Sequence, residues 1–395
     1  MPDTFEFYGE IKPIKKTEKF DPITKKEYKS GWCNITTNFN VVSGFNRVMV
    51  QAKGGMWTDP KKNSVKTFSK STTDANGKVT KGKPITIEWD KRSSQEEIDK
   101  VAGFKKFVVD LGNKKTRYAL QHIVESGVIT DEQQMETGCD TVEAAKKTLD
   151  KSNKRRHVFL AESDFAEYCA KVVQSDKIVG NKFKITGDYE VQYSAEKQKF
   201  YTNYHVRKIE LMGADVEQKL ILKTEFYFGA DCWDNSGYAE SEKVFVNGFV
   251  KYYDGSVKDF GFKPMTIVVT GAKEKVNALQ KKFTCDDGAI KCIDLNLDIV
   301  DGAERKEIRL EDLDEEVRDD IEMGLLKFET VKKEMGGGIA GPRVSELRFA
   351  DLGSTNGAQE TTYTTDDMYP AVVKVEETPE DDESVDLFSD DDDDL

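Results

Sequence analysis

The chain has 395 residues, with 59 Lys and Arg against 73 Asp and Glu and a net charge of -14, and on the usual scale of roughly 100–200 residues per domain it can bury at least two cores. Charged residues make up 33% and hydrophobic ones 37%, a lean supply of core formers that leaves part of the chain outside any packed unit. No run approaches the ~18–20 apolar residues of a membrane span, Asp3 and Glu6 stand where a signal peptide would be apolar, and six cysteines without C-x-x-C spacing beside three histidines argue against disulfides or zinc, so the expectation is a cytoplasmic chain with no metal and no cofactor.

Residues 31 to 53 alternate with period two, the mark of half-buried strands. Cys33, Ile35, Thr37, Phe39 and Val41 share one face, with Trp32, Asn34, Thr36, Asn38 and Asn40 on the other. Past Ser43-Gly44, Val48, Val50 and Ala52 point inward and Arg47, Met49, Gln51 and Lys53 outward, and Gly54-Gly55 is expected to close this second strand. A polar loop then leads to a strand in which Ile85, Ile87 and Trp89 alternate with Thr86 and Glu88, followed by another over 106 to 111. Helices are expected over 116 to 126, 141 to 150 and 161 to 174.

The clearest hairpin joins 182 to 193 with 199 to 211. Phe200, Thr202, Tyr204 and Val206 lie on one side and Lys199, Tyr201, Asn203, His205 and Arg207 on the other, whereas Ile209 and Leu211 have reversed parity. A bulge at Arg207-Lys208 is therefore expected. A second β unit starts near Gly213, with strands over 220 to 228, 243 to 253 and 262 to 270, a helix over 272 to 284 and a strand over 290 to 300. The fold expected is mainly β with inserted helices, built on two barrels like the five-stranded, partly open OB-fold. Its divisions are 1 to 212, 213 to 302, an acidic helical segment with a short strand over 303 to 350, and a disordered acidic tail over 351 to 395.

Charge divides along the same lines. Residues 1 to 210 hold 38 Lys and Arg against 29 acids, residues 211 to 375 hold 21 against 32, and the last twenty hold 12 acids and no base. The basic half is where a polyanion belongs. There, outward faces combine rings with cations: Trp32 with Arg47 and Lys53, Phe45 and Trp57 at the strand ends, Lys61, Lys62 and Lys66 just beyond, and Tyr201 between Lys199 and Arg207. Further clusters are Lys114, Lys115 and Arg117, then Lys154, Arg155 and Arg156. Unpaired bases stack on flat rings and phosphates follow cations, so such a surface binds single strands with little sequence preference. The competing reading leaves these rings in the core or rim of a barrel, as for most aromatics in β proteins.

The C-terminus sets apolar Val385, Leu387, Phe388 and Leu395 among acids that include Asp390, Asp391, Asp392, Asp393 and Asp394. Such a string suits a pocket with a basic rim, and it can also mimic a polyanion on the chain's own cationic groove. With the run Gly180-Asn181-Lys182-Phe183-Lys184-Ile185-Thr186-Gly187-Asp188-Tyr189, its continuation from Phe200 to Arg207, and this tail, the chain resembles the OB-fold single-stranded DNA-binding proteins that bacteriophages encode. The resemblance implies a non-enzymatic binder of single-stranded DNA, or of RNA, in replication, recombination or repair, whose tail recruits replication or recombination proteins. Two features depart from that pattern: the chain is much longer than a one-barrel bacterial binding protein, and its tail ends in aspartates and Leu395. The alternative expectation is a structural or assembly protein that holds a basic partner, and an Mg²⁺-dependent nuclease would need clustered acids in the basic half.

Overall fold

The computed structural model describes residues 3–73, 77–213, 215–306, 309–334 and 339–368. The chain opens with β1 (Thr4–Pro13), β2 (Trp32–Ser43) and β3 (Asn46–Trp57), and a short strand over Ile23–Glu27 pairs antiparallel along β2. An insertion follows. It carries a two-stranded ribbon, β4 (Ser64–Phe68) with β5 (Pro84–Glu88), then an edge pair, β6 (Phe107–Asp110) with β7 (Arg156–Phe159). Between β6 and β7 lie helices α1 (Lys114–Ser126), α2 (Asp131–Thr137) and α3 (Val142–Asn153), which pack around their own small core of Leu120, Ile123, Cys139 and Ala145. Helix α4 (Glu162–Val173) then leads to the long hairpin β8 (Lys182–Ser194) and β9 (Lys199–Leu211).

β1 pairs antiparallel with β2 and with β8, β2 with β3, and β8 with β9, while β3 and β9 meet in parallel at Gln51 and His205. That circuit closes a five-stranded barrel with a helix between its third and fourth strands, the OB arrangement. Alternation dictates it: Phe5, Phe7, Phe39, Ile185 and Ile209 all point inward and are sealed from solvent. Helix α4 plugs one end with Phe165, Ala166 and Cys169, and Thr37 donates to the Ala166 carbonyl at 3.0 Å. Opposite Gly187 the register slips at Arg207, where the parity change requires it.

The second barrel repeats the plan with β10 (Lys219–Phe228), β11 (Lys243–Asp254), β12 (Asp259–Thr270), helix α5 (Lys273–Gln280) and β13 (Ala289–Lys306). Helices α6 (Glu315–Glu322) and α7 (Phe328–Glu334) precede β14 (Ile339–Leu352), which pairs antiparallel with β13 and parallel with β12 and so closes this barrel. β1 and β10 pair antiparallel and join the two barrels.

Four expectations change. β1 went unpredicted, although it alternates cleanly. Gly54 and Gly55 do not end β3: a Cβ at Gly54 would fall 2.3 Å from the α4 backbone, so the glycine lets helix and strand touch. β13 runs through the division expected at 302, because its outer end is needed to pair with β14. Residues 351 to 368, expected as disordered tail, contain the end of β14, β15 (Gln359–Thr364) paired with β13, and a buried Met368.

Candidate nucleic-acid interface

Trp32 and Trp57 are cross-strand neighbours at the open ends of β2 and β3, with ring centroids 5.2 Å apart and planes at 74°. Both are half-buried and keep part of each ring in solvent. Trp32 lies diagonally over Gly55, where a Cβ would stand 2.0 Å from its Cζ2. The loop after β3 is tied back: Trp57 N–H donates to Asn63 Oδ1 at 2.8 Å, Asn63 Nδ2 donates to the Trp57 carbonyl at 2.7 Å, and Asp59 caps a single turn by accepting from Lys61 N–H at 3.0 Å. This turn sets Lys62 Nζ 5.3 Å above the Trp57 ring. Lys61 and Lys66 are exposed beside it, and none of these three lysines is held in an ion pair among the described residues.

The remaining candidates do not all join this group. Phe45 sits at the β2–β3 hairpin tip, where its carbonyl and ring press against Gly302 of β13 and Asn46 Oδ1 accepts from Asp301 N–H at 3.1 Å. It is a contact between barrels. Arg47 is exposed close to that tip, about 33 Å along β3 from Trp57 at the usual rise per residue. Because His205 pairs with Gln51 in parallel register, Tyr201 stands at the height of Arg47, with its ring 39% exposed and Lys199 Nζ 5.6 Å above it. The face thus carries aromatic and basic groups at its two ends, with Lys53, Gln51 and Met49 between them.

Arg207 is a correction. Its guanidinium is engaged by the Asp188 carboxylate and lies 5.3 Å over the Phe107 ring, so it braces the hairpin rather than offering a free charge. His205 is likewise engaged by Glu190, whose carboxyl it holds below the usual range. In the cluster after β6, Arg117 pairs with Asp110 at 2.6 Å and lies mostly buried against it, whereas Lys115 and Lys114 are exposed and lie 2.8 Å from Glu136 and 3.8 Å from Glu210.

The sequence marks Lys66 and Lys70 as part of a basic cluster, but not the exposed rings beside them in the insertion. Phe68 and Phe104 are 40% and 67% exposed, and Lys105 Nζ lies 5.7 Å from each ring. Lys106 beside them is pushed down in pKa by burial and then by the charges of Lys70 and Arg156, the second of which also reaches Asp110 at 4.0 Å. Like charges gathered around exposed rings, offset in part by Asp99 and Asp110, are what an anion-binding surface requires. The signal was present in the alternation of Ser64, Lys66 and Phe68 with buried Val65 and Thr67.

The outer face of the second barrel is covered only in part, since Phe245 and Tyr253 of β11 and Phe260 of β12 are 36%, 56% and 49% exposed. Tyr227 of β10 and Phe262 of β12 are buried there under Tyr363 of β15 and Met368, with Tyr363 ring centroids 6.0 and 4.9 Å from theirs. Leu387, Phe388, Asp390 to Asp394 and Leu395 lie outside the described residues. Among the described residues no group of three or more His, Cys, Asp and Glu could hold a metal, and no helix is long and apolar enough to cross a membrane.

No family model and no curated protein matches the chain. Among solved structures it aligns with the wild-type single-stranded DNA binding protein from Thermus aquaticus, at 8% identity over 76% of this chain and 85% of that one, with a TM-score of 0.28. A deletion mutant of the same protein aligns over 76% and 87%, with the same identity and TM-score. Superposition at that level does not establish a common fold.

Proposed function

We propose that this protein is a non-enzymatic, cytoplasmic binder of single-stranded DNA, of the kind bacteriophages use in replication and recombination, with the first barrel as its principal site and the acidic tail as a recruiting and self-inhibiting element. One observation carries the reading: the outer face of β2 and β3 is open and ends in the Trp32, Trp57 and Lys62 group beside the Lys66, Lys70, Lys105 and Lys106 patch. Rings and unpaired cations on one open surface supply the two components that sequence-independent strand binding needs. Neither a stacking ring nor a phosphate-bound cation reads base edges, which suits binding without sequence preference.

Fluorescence anisotropy of labelled single-stranded and duplex oligonucleotides over a series of salt concentrations tests it. Single strands are expected to bind more tightly than duplex, with log affinity falling against log salt at about -0.7 per phosphate neutralised. No binding at low salt, or equal affinity for duplex, overturns the reading.

A further inference from the structure

Between the β4–β5 ribbon and the rim of the first barrel lies a cleft of about 230 Å³. Val65, Phe107, Leu160 and Trp89 line it together with polar and charged groups that supply most of its exposed surface. The Trp89 indole is braced: the Arg92 guanidinium lies 4.0 Å over it and is itself gripped by Asp164 at 2.7 and 3.1 Å. Among the polar groups facing the cleft, Thr67 stands out. It is 7% exposed, yet its hydroxyl has no hydrogen-bond partner. A buried hydroxyl left unpaired is disfavoured unless an occupant satisfies it.

Lys66 and Lys105 add donors around the opening, Arg207 lines it while paired with Asp188, and Glu162, the first residue of α4, adds a carboxyl. Glu162 is open to solvent but crowded by protein, and burial raises its pKa against the pull of Arg207 and His205. A phosphate would meet this carboxyl. A nucleobase finds an aromatic wall, a hydroxyl for a ring acceptor and a carboxyl for an exocyclic amine. Gly55 lines the same cleft and carries the Trp32 ring above it, so the cleft opens directly beside the tryptophan pair.

We infer that this cleft takes one base of the bound strand, everted from the Trp32–Trp57 surface, and that it favours bases with an amine at cytosine N4 or adenine N6 over those with a carbonyl oxygen at that position, thymine, uracil and guanine. The inference rests on the single-strand reading above. Cytosine N4 donates to the Glu162 carboxyl, while thymine presents its O4 there and is repelled. The strand as a whole still binds any sequence, with the preference confined to one position.

Affinities for oligo(dC) and oligo(dT) are measured with the full chain and with Glu162→Gln and Thr67→Val. A glutamine offers donor and acceptor alike, so the dC-to-dT affinity ratio is expected to fall about fivefold in Glu162→Gln, as loss of one discriminating hydrogen bond implies. Thr67→Val is expected to weaken both oligonucleotides alike, because a hydroxyl donates and accepts, and to leave the melting temperature unchanged or higher because the hydroxyl it removes has no partner in the free protein. Free dCMP at millimolar concentration is expected not to displace oligo(dC), since the strand delivers the base. An unchanged ratio in Glu162→Gln with unchanged affinities in Thr67→Val overturns the base pocket, and displacement by dCMP reassigns it to free nucleotides. If neither oligonucleotide binds the wild-type chain at low salt, the single-strand reading itself has failed.

Discussion

Gly55 decides where the Trp32 indole lies, because any side chain there would enter the space of its six-membered ring. Gly55→Ala therefore moves the ring without deleting it. We expect a loss of oligonucleotide affinity approaching that of Trp32→Ala, about 1–3 kcal/mol for one stacked base, accompanied by a shift in tryptophan fluorescence. Full retention of affinity would remove Trp32 from the interface. Lys66 and Arg207 separate by their partners. Lys66→Ala is expected to flatten the salt dependence by about 0.7, one phosphate's share, whereas Arg207→Ala, which breaks the pair with Asp188, lowers the melting temperature and leaves the slope unchanged. Equal slope changes in the two variants would put Arg207 back among the phosphate contacts. Parity in the sequence places Arg207 outward, while Lys66 falls within an expected polar loop that the structure folds as β4. Parity could not reveal Asp188 across the hairpin or Phe107 beneath, because partners come from register and from the inserted segment.

At the scale of elements, legibility tracked the length of the pattern. The β2–β3 pair, the β8–β9 hairpin with its bulge, α4 and four strands of the second barrel each carry several consecutive signals. β1 carries its pattern in ten residues interrupted by Gly9, and that glycine is there because a Cβ would collide with the Val42 carbonyl at 2.3 Å. The closing strand β14 was read as a short piece, since its partner β13 lies across two intervening helices. The seam between β1 and β10 makes a prediction of its own. Burial opposes ionisation of Glu6, but hydrogen bonds from Tyr8, Lys184 and Lys223 outweigh it and bring the carboxyl down to about 2. A carboxyl depressed on folding stabilises fully above its ordinary 4.5, and that contribution disappears as pH falls toward 2. Asp3, next to the seam, behaves oppositely: burial lifts it from 3.8 to about 6, so stability drops as pH rises through that interval and stays lower above it. Asp3→Asn is accordingly expected to raise the melting temperature at pH 7.5 and to leave it unchanged at pH 3. A wild-type chain and an Asp3→Asn variant that melt together at both pH values would show that the charge is solvated.

For the molecule as a whole, the two barrels share a strand order but differ in the course of the chain that leaves each barrel's fifth strand. In the first barrel the chain leaves β9 for β10. In the second, β15 and Met368 fold back over Tyr227 and Phe262. The residues after Met368 therefore start from the second barrel, and 27 of them span about 90 Å when fully extended, enough to reach the Trp32–Trp57 end of the first. Their composition makes them competitors there. Truncation after Val375 removes 12 acids and takes the net charge from -14 to -2. A tethered polyanion acts at an effective concentration set by its tether, in the millimolar range for short flexible linkers, so it masks cations even when its intrinsic affinity is weak. The truncated chain is thus expected to bind single strands several-fold more tightly at low salt. The two forms should converge at high salt, where the Debye length shrinks to about 3 Å at 1 M and the tail's attraction is screened. Gel-shift titrations of both forms at low and high salt decide the matter: weaker binding by the truncated chain, or a gain that persists at high salt, would show that the tail does not act by competing for these charges.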